Sequence, residues 1–564
     1  MLPYPANFNV QRPLMKTRLP VFAPFVLLLA VALLYGGFLR NPIVFDDVYS
    51  FLDDTLIRYG NGDFSFGPRW LPYFTLGLSR KFFGLDLVGY RLPGLLLQVA
   101  VAIALYAYLK QLSRMFLPEQ QPGRLSYTAI AFLAALIFAL HPVAVYAAGY
   151  LIERTVVMAT LFALLMWLSL LRGLEHDRTI WLWVSVAFYA LALSSKEHVV
   201  MAPAVSAGLC LLWWRTHSNR IVSLPMWFMK LTPVFVAYAA MALYVVLLMK
   251  GYIARNYEIL GADTAAQIDM GNIPAGMIYP LSVFNQAALF FKYLGLWLLP
   301  DPVWMSVDMR VPFATSFWVW PQTLGLAAFV AYPLMSIALI WRGGRLGLLG
   351  ISLLAPWLLF ATEIATVRVQ EPFVLYRSYL WAAPLFAGLL VAFEKMEQRR
   401  AVVVLSLFAL AMYPLAYQRL QTFSNPLLLW DDAAQLVKGK SSLSGVTRIY
   451  MNRGHEYEHL GRSEEAISDY NQALEEQSVY YRPYLLSDLG ASKLKLKRYA
   501  AALRDFDAAI ALKPDYPQSY MGRGQVLEAL DKPVLALPNF NRACWLGWKS
   551  ACKKTMSETL PVQP

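Results

Sequence analysis

Charge is scarce in this chain. Only 15% of its 564 residues are Asp, Glu, Lys or Arg, against 58% hydrophobic residues, a balance that excludes a soluble globular protein of this length and makes a bilayer its solvent. Cysteine is scarcer still. Three residues are too few for a disulfide framework, and Cys210 falls inside an apolar run. No G-x-G-x-x-G, Walker loop or C-x-x-C occurs, so soluble-nucleotide chemistry loses its usual sequence support. The net charge of +13 does not point to nucleic acid, because most Lys and Arg stand in short loops between apolar runs, where they set topology.

What is present divides near residue 420, where the aromatic-rich apolar blocks give way to a polar, alanine-rich segment. Before that point, about eleven runs of spanning length follow one another. They fall near 21–39, 90–109, 127–147, 153–171, 180–195, 199–214, 231–249, 319–341, 346–362, 377–393 and 401–417. Arg12, Lys16 and Arg18 precede the first run, which reads as a signal anchor behind a cytoplasmic segment 1–20. Basic clusters recur in alternate loops: Lys110, Arg114 and Arg124; Arg172 and Arg178; Arg215, Arg220 and Lys230; Arg342 and Arg345; Arg399 and Arg400. All five share the cytoplasmic side only if the run 282–299 does not cross but lies in the interface or re-enters. The loop 40–89, the region 250–318, the loop 363–376 and everything after about 418 then face the other side.

Directly after the first run stands Phe45-Asp46-Asp47-Val48. Adjacent carboxylates at a membrane exit are expensive unless solvated or employed. Either they cap a helix start, or one is a general base for an acceptor hydroxyl while its neighbour raises its pKa or orients the acceptor. The signature resembles the Phe-Asp-Glu-Val of protein O-mannosyltransferases, with Asp where those enzymes have Glu. Further stretches resemble the transmembrane and tetratricopeptide-repeat-containing O-mannosyltransferases of the GT-C superfamily, and their bacterial relatives, in the same order: Gly67-Pro68-Arg69-Trp70-Leu71-Pro72, Gly84 to Arg91, His141-Pro142-Val143, Glu153-Arg154, Leu193 to Glu197 and Tyr376 to Leu380. The resemblance implies a glycosyltransferase that takes its sugar from a polyprenyl-linked donor, with Asp46 as catalytic base and Asp47 as its acidic neighbour. It leaves a divalent metal open and favours none. Asp263, Asp269, Asp301 and Asp308 in the region 250–318 lack metal-ligand spacing.

A glycosyl phosphate leaving group gathers negative charge, so cations must stand where it grows. The candidates are Arg377, Arg154 and Lys196, with Glu153, Arg69, Glu197 and Arg368 as supporting or substrate-facing residues. Each has a plainer reading. Arg377 between Tyr376 and Tyr379 suits interfacial anchoring, Arg154 suits an ion pair with Glu153, and Lys196-Glu197-His198 suits a helix-hairpin ion pair. His141-Pro142 reads as a span terminator.

From residue 447 a period of about 34 appears: Ala502, Phe506 and Ala509 return as Ala536, Phe540 and Ala543, after an earlier copy with Gly454, Tyr457, Ala466, Tyr470 and Ala473. This is a tetratricopeptide signature of three repeats with a closing helix over 447–556, joined by a linker 418–446. The array suits either an acceptor protein or glycan held near the site, or assembly. Cys544 and Cys552 resemble the paired cysteines of Sel1-like repeats, which implies a disulfide and an oxidising compartment; two packed free thiols are the alternative.

The expected protein is therefore all-α: a polytopic membrane domain with a C-terminal tetratricopeptide solenoid. It transfers sugar from a lipid-linked donor, most readily to Ser or Thr of an exported protein, at the periplasmic face of a bacterial inner membrane. Its partners are the lipid-linked donor, the bilayer and an acceptor. A glycan ligase or polymerase of the O-antigen type, and a non-enzymatic repeat-bearing assembly factor, are the rival readings.

Overall fold

The computed structural model describes residues 19–48, 54–63, 66–119, 123–217, 224–255, 274–369, 371–440, 443, 445–475 and 478–558. Arg12, Lys16, Arg18, Asp53, Arg220, Asp263 and Asp269 lie outside the described residues. Among the described residues the fold is all-helical, with 78% helix and no strands. Among the described residues eight helices are long and apolar enough to cross a membrane, nine if the bent pair Tyr127–Ala139 and Pro142–Ala148 is one span, and the helices Phe22–Phe38 and Thr179–Leu193 are shorter and apolar.

Burial runs opposite to that of a soluble protein. The Trp227–Leu248 helix has a mean hydropathy of 2.2 but is only 22% buried, whereas the Arg154–His176 helix, at 1.9, is 78% buried. The outer surface is thus at least as apolar as the core, with Val236, Leu243, Leu247 and Leu334 exposed, which water does not tolerate over such an area and lipid does.

Local chemistry sets the helix ends. Asp86 caps the Leu87–Phe116 helix by accepting from the Val88 amide at 3.3 Å, and Ser126 does the same for Ala129 at 3.2 Å. At His141 the residue before Pro142 is extended, as the proline ring demands, and the two halves meet at 51°. The buried imidazole stacks on Trp297, 4.5 Å between centroids.

The basic loops meet one another. Arg114 pairs with Glu175, Lys230 with Asp177 at 2.7 Å, Arg215 donates to the Trp341 carbonyl at 2.9 Å, and the Gln398 amide donates to Gly123 at 2.9 Å. All five clusters therefore sit at one end of the bundle. The Arg215–Trp341 contact also requires the chain between them to return to the end it left. The helix Ile278–Leu298, which covers the run 282–299, is not among those apolar enough to span.

The stretch 418–446 is not the loose linker expected from sequence. The last membrane helix continues to Thr422, Asn425 caps a further helix Pro426–Val437, and Leu429, Trp430, Ala433, Ala434 and Val437 are buried on it. Four of these, from Trp430 on, share a core with Val446 and Ile449 of the first repeat helix. Hydrophobic positions spaced at helical period explain the difference: this segment has a face to bury and a neighbour to bury it against. Arg419, itself buried, pairs with Asp432 at 2.8 Å and ties the new helix to the last span.

In the repeats, Ala466, Ala473, Ala502, Ala509, Ala536 and Ala543 are fully buried. The glycines let aromatic rings cross between paired helices: a Cβ on Gly454 would strike Tyr470, and one on Gly522 would strike Phe506. Cys544 and Cys552 form a disulfide joining the Pro533–Trp545 helix to the closing helix Lys549–Glu558.

Candidate functional site

Phe45 adopts a left-handed backbone with φ of 53°, uncommon for an aromatic residue. Three contacts hold it there. Its ring stacks on Tyr150 at 6.4 Å, receives the edge of Trp430 at 5.2 Å and lies 5.2 Å from the guanidinium carbon of Arg448. The next two residues then diverge. Asp47 is buried and accepts from the amides of Leu151 at 3.1 Å and Ile152 at 2.8 Å. Asp46 is solvent-exposed, and its own amide donates to the Tyr150 hydroxyl at 2.8 Å.

Both carboxyls are shifted upward. Desolvation by surrounding protein, then Glu371, raises Asp46 to about 6, against the pull of Arg448. Burial raises Asp47 to about 7, opposed by the Ile152 amide and Arg91. Arg91 spends its donors on the carbonyls of Asn41, Pro42 and Gly149, so it fastens the loop that carries the pair.

Around Asp46 runs a chain of ion pairs drawn from distant parts of the sequence. Arg69 is bidentate on Glu197. His198, the next residue, lies 3.3 Å from Glu197 and 3.2 Å from Glu363. Glu363 in turn meets Arg377 at 3.3 Å and Arg368 at 3.5 Å. Arg377 reaches Glu371 at 3.6 Å, Glu371 meets Arg448 at 2.6 Å, Arg448 meets Asp308 at 2.9 Å, and Asp308 meets Arg310 at 2.7 Å. Burial works against the charge on Asp308 and Glu371, but their Arg partners outweigh it and hold both below the usual carboxylate range. A second branch joins Lys196 to Glu153 at 2.6 Å, both buried, with the ammonium 5.0 Å from the Tyr376 ring.

The sequence-derived residues fall into four groups. Glu153, Lys196, Arg69, Glu197, Arg368 and Arg377 belong to these ion pairs, and Asp46 lies within electrostatic reach of Glu371, Arg448, Glu153 and Asp308. Asp47 supports it from below through the backbone. Arg154 is turned away: it is buried, donates to Thr75 Oγ1 at 3.1 Å and to the Tyr90 carbonyl, and Glu153 gives its charge to Lys196 instead of to Arg154. Cys544 and Cys552 join the last repeat to the closing helix, away from these charges in the sequence. Sequence reasoning passed over Glu363 and Arg448, and weighed Asp308 only as a metal ligand. An acid within an apolar run was the available signal for Glu363; nothing local marks Arg448.

One motif was also overlooked. His455-Glu456-Tyr457-Glu458-His459 spells H-E-x-x-H, but it lies on the first repeat helix, where His455 pairs with Asp488 at 2.8 Å and Glu458 with Lys495. Among the described residues no three of His, Cys, Asp and Glu converge as a metal site.

Beside the chain of charges opens a cavity of about 460 Å³. Arg69, Glu197, His198 and Arg368 line one part, and Val245, Val246, Met249 and Ile253, from the end of the poorly buried Leu224–Leu248 helix and just beyond it, line another. A site lined by both guanidiniums and aliphatic side chains fits an amphiphile whose head is anionic.

Comparison with known proteins identifies the C-terminal part. A tetratricopeptide repeat model matches residues 447–478 and a second matches residues 487–551. No curated protein matches the chain.

Proposed function

We propose that this tetratricopeptide protein is a membrane glycosyltransferase of GT-C type, moving a sugar from a polyprenyl phosphate or diphosphate to an acceptor hydroxyl. The observation that carries the reading is the cavity lined by Arg69, Glu197, His198 and Arg368 of the ion-pair chain together with the aliphatic Val245, Val246, Met249 and Ile253. An isoprenoid lies along Val245, Val246, Met249 and Ile253, and its phosphate meets Arg69, His198 and Arg368. Burial and the neighbouring Arg377 push the Arg368 pKa down; a guanidinium keeps its proton regardless, so a bound anion relieves that strain.

The step balances on this chain's own groups. Asp46 accepts the proton of the acceptor hydroxyl, the hydroxyl oxygen bonds to the anomeric carbon, and the bond from that carbon to the phosphate oxygen breaks with its electron pair leaving on the phosphate. One displacement inverts the anomeric centre. Along the ion-pair chain the guanidiniums of Arg310, Arg368, Arg377 and Arg448 face the carboxylates of Asp308, Glu363 and Glu371. The odd positive charge is matched by ionised Asp46 before reaction and by the departing phosphate once Asp46 is protonated. The Cys544–Cys552 disulfide fits an oxidising compartment, and so an active face and repeats on the periplasmic side, with Ser or Thr of an exported protein as acceptor.

The test is sugar transfer from radiolabelled polyprenyl-phosphate sugars to periplasmic extract, by wild type and Asp46→Asn. Transfer by wild type alone supports the reading. Equal transfer by both moves the base elsewhere. No transfer by either, with any donor, favours a repeat-bearing assembly factor.

A further inference from the structure

The repeat domain is not hung from the membrane part by a tether; its first helix is set into the wall of the candidate site. Arg448, on the Val446–His459 helix, has a side chain only 13% exposed, and none of the acids it bonds belongs to the repeats: Asp308 lies at 2.9 Å and Glu371 at 2.6 Å. Its guanidinium lies over Phe45, the residue before Asp46. Gly445, at the start of the same helix with φ of 83°, packs so closely on Arg310 that a Cβ there would strike the guanidinium. From the preceding helix, Trp430 sets its edge on the same Phe45 ring. Phe45 is thus gripped from above by two residues that follow the membrane domain in sequence, and its left-handed backbone decides the direction of Asp46.

We propose that Arg448 is a positioning residue of the membrane-borne site: by fixing Phe45 and Glu371 it sets where Asp46 points, which makes the first repeat an integral part of the active centre. This rests on the reading of Asp46 as the base. Two neighbours in the same helix show that the arrangement is specific to Arg448. Arg453, one turn and a half further on, spends its guanidinium on Asp431 and Asp469 and reaches no membrane residue by these bonds. His455 bonds to Asp488 inside the repeats.

The charge placement has a kinetic consequence. Asp46 feels Glu371 from the loop before the last two spans, Glu153 from the start of the Arg154–His176 helix, Asp308 from the segment after Ile278–Leu298, Asp47 beside it in the chain, and the Tyr150 and Tyr376 rings; of the groups around it, Arg448 is the cation that favours its ionised form. Without Arg448, Glu371 and Asp308 keep only Arg377 and Arg310 as partners and raise Asp46 further, so a higher pH is needed to ionise it.

The experiment compares wild type, Arg448→Gln, Arg448→Lys and Arg453→Gln in lipid nanodiscs by two readouts. Hydrogen exchange at the amides of residues 44–48 reports the loop directly and needs no substrate. The Asp46, Asp47 and Val48 amides bond to Tyr150, Val44 and Phe45, and in Arg448→Gln they are expected to exchange about tenfold faster or more, while Arg453→Gln matches wild type. The acid limb of the transfer rate against pH is expected to move up by about one unit in Arg448→Gln. Arg448→Lys keeps the charge, guards against a misfolded Gln variant, and is expected to restore the pH limb with only part of the protection. Exchange and pH limb unchanged in both Arg448 variants would overturn the proposal. If wild type transfers no sugar, the glycosyltransferase reading fails on its own and the exchange result alone decides whether Arg448 fixes the loop.

Discussion

Asp47 gives its two carboxylate oxygens to the backbone amides of Ile152 and Leu151, at 2.8 and 3.1 Å, and in doing so leaves its chain neighbour Asp46 facing solvent. Successive side chains in a tight turn cannot both point into the fold. The pair that looked like a catalytic dyad is thereby divided into an anchor and an accessible carboxylate, and the division yields separate phenotypes for each.

Asp46→Asn is expected to fold as wild type and lose transfer by about a hundredfold or more, the scale of a general base. Asp47→Asn, which keeps an acceptor oxygen but replaces the other with a donor facing an amide, is expected to destabilise the protein by about 1–3 kcal/mol. Thermal melts in nanodiscs alongside the transfer assay separate the two.

The pH profile follows from the shift on Asp46. A base must be unprotonated, and desolvation by the surrounding protein, with Glu371, puts this carboxyl at about 6. The rate is expected to fall about tenfold per pH unit below 6 and to be level above it on this limb. An acid limb near 4, the range of an ordinary carboxylate, would remove Asp46 from the role.

Glu363 is the meeting point of Arg368 and Arg377, and is almost wholly buried. Glu363→Gln is expected to leave two buried cations without their shared anion, at a loss of about 3–5 kcal/mol. A melt lowered by several degrees checks it, and a melt equal to wild type would mean that another anion serves these arginines.

In the repeats, Gly454 faces the Tyr470 ring so closely that a methyl group must displace it. Gly454→Ala is expected to cost about 1–3 kcal/mol, read as an earlier loss of helical signal. Gly461→Ala is no control, since its φ of 73° strains any side chain; Gly36→Ala, with open space around it, is.

His455 supplies a pH test of the repeat domain. Burial lowers its pKa, but Asp488 outweighs burial and leaves the folded value raised. The pair's stabilisation is therefore complete below the unfolded value of about 6.5 and fades as pH rises through the higher folded one. The pair is partly exposed, with side chains 39% and 27% accessible, so the effect is small, and Asp488→Asn is expected to abolish the slope.

Much of the architecture was legible because it rests on local properties. An apolar run of sufficient length is helical in a bilayer wherever it stands, and each of the eleven runs coincides with a helix or a bent pair, although only eight are long and apolar enough to be counted as spans by themselves. The repeat period and its Gly, Ala and aromatic positions are similarly local. The site was legible in part: Asp46, Arg69, Lys196, Glu197, Arg368 and Arg377 stood out as charges at span ends, while the turn of Arg154 toward Thr75 and Tyr90 depends on the neighbouring helices.

By itself, then, the sequence determined a helical domain with helices apolar and long enough to cross a membrane, followed by tetratricopeptide repeats, since hydropathy and period act within a few turns of chain. Tertiary structure alone decided which charges meet. Asp308 and Arg448 are 140 residues apart and Glu153 and Lys196 are 43 apart; a charge buried among helices must find an opposite charge wherever the packing brings one, and no pattern along the chain records that choice.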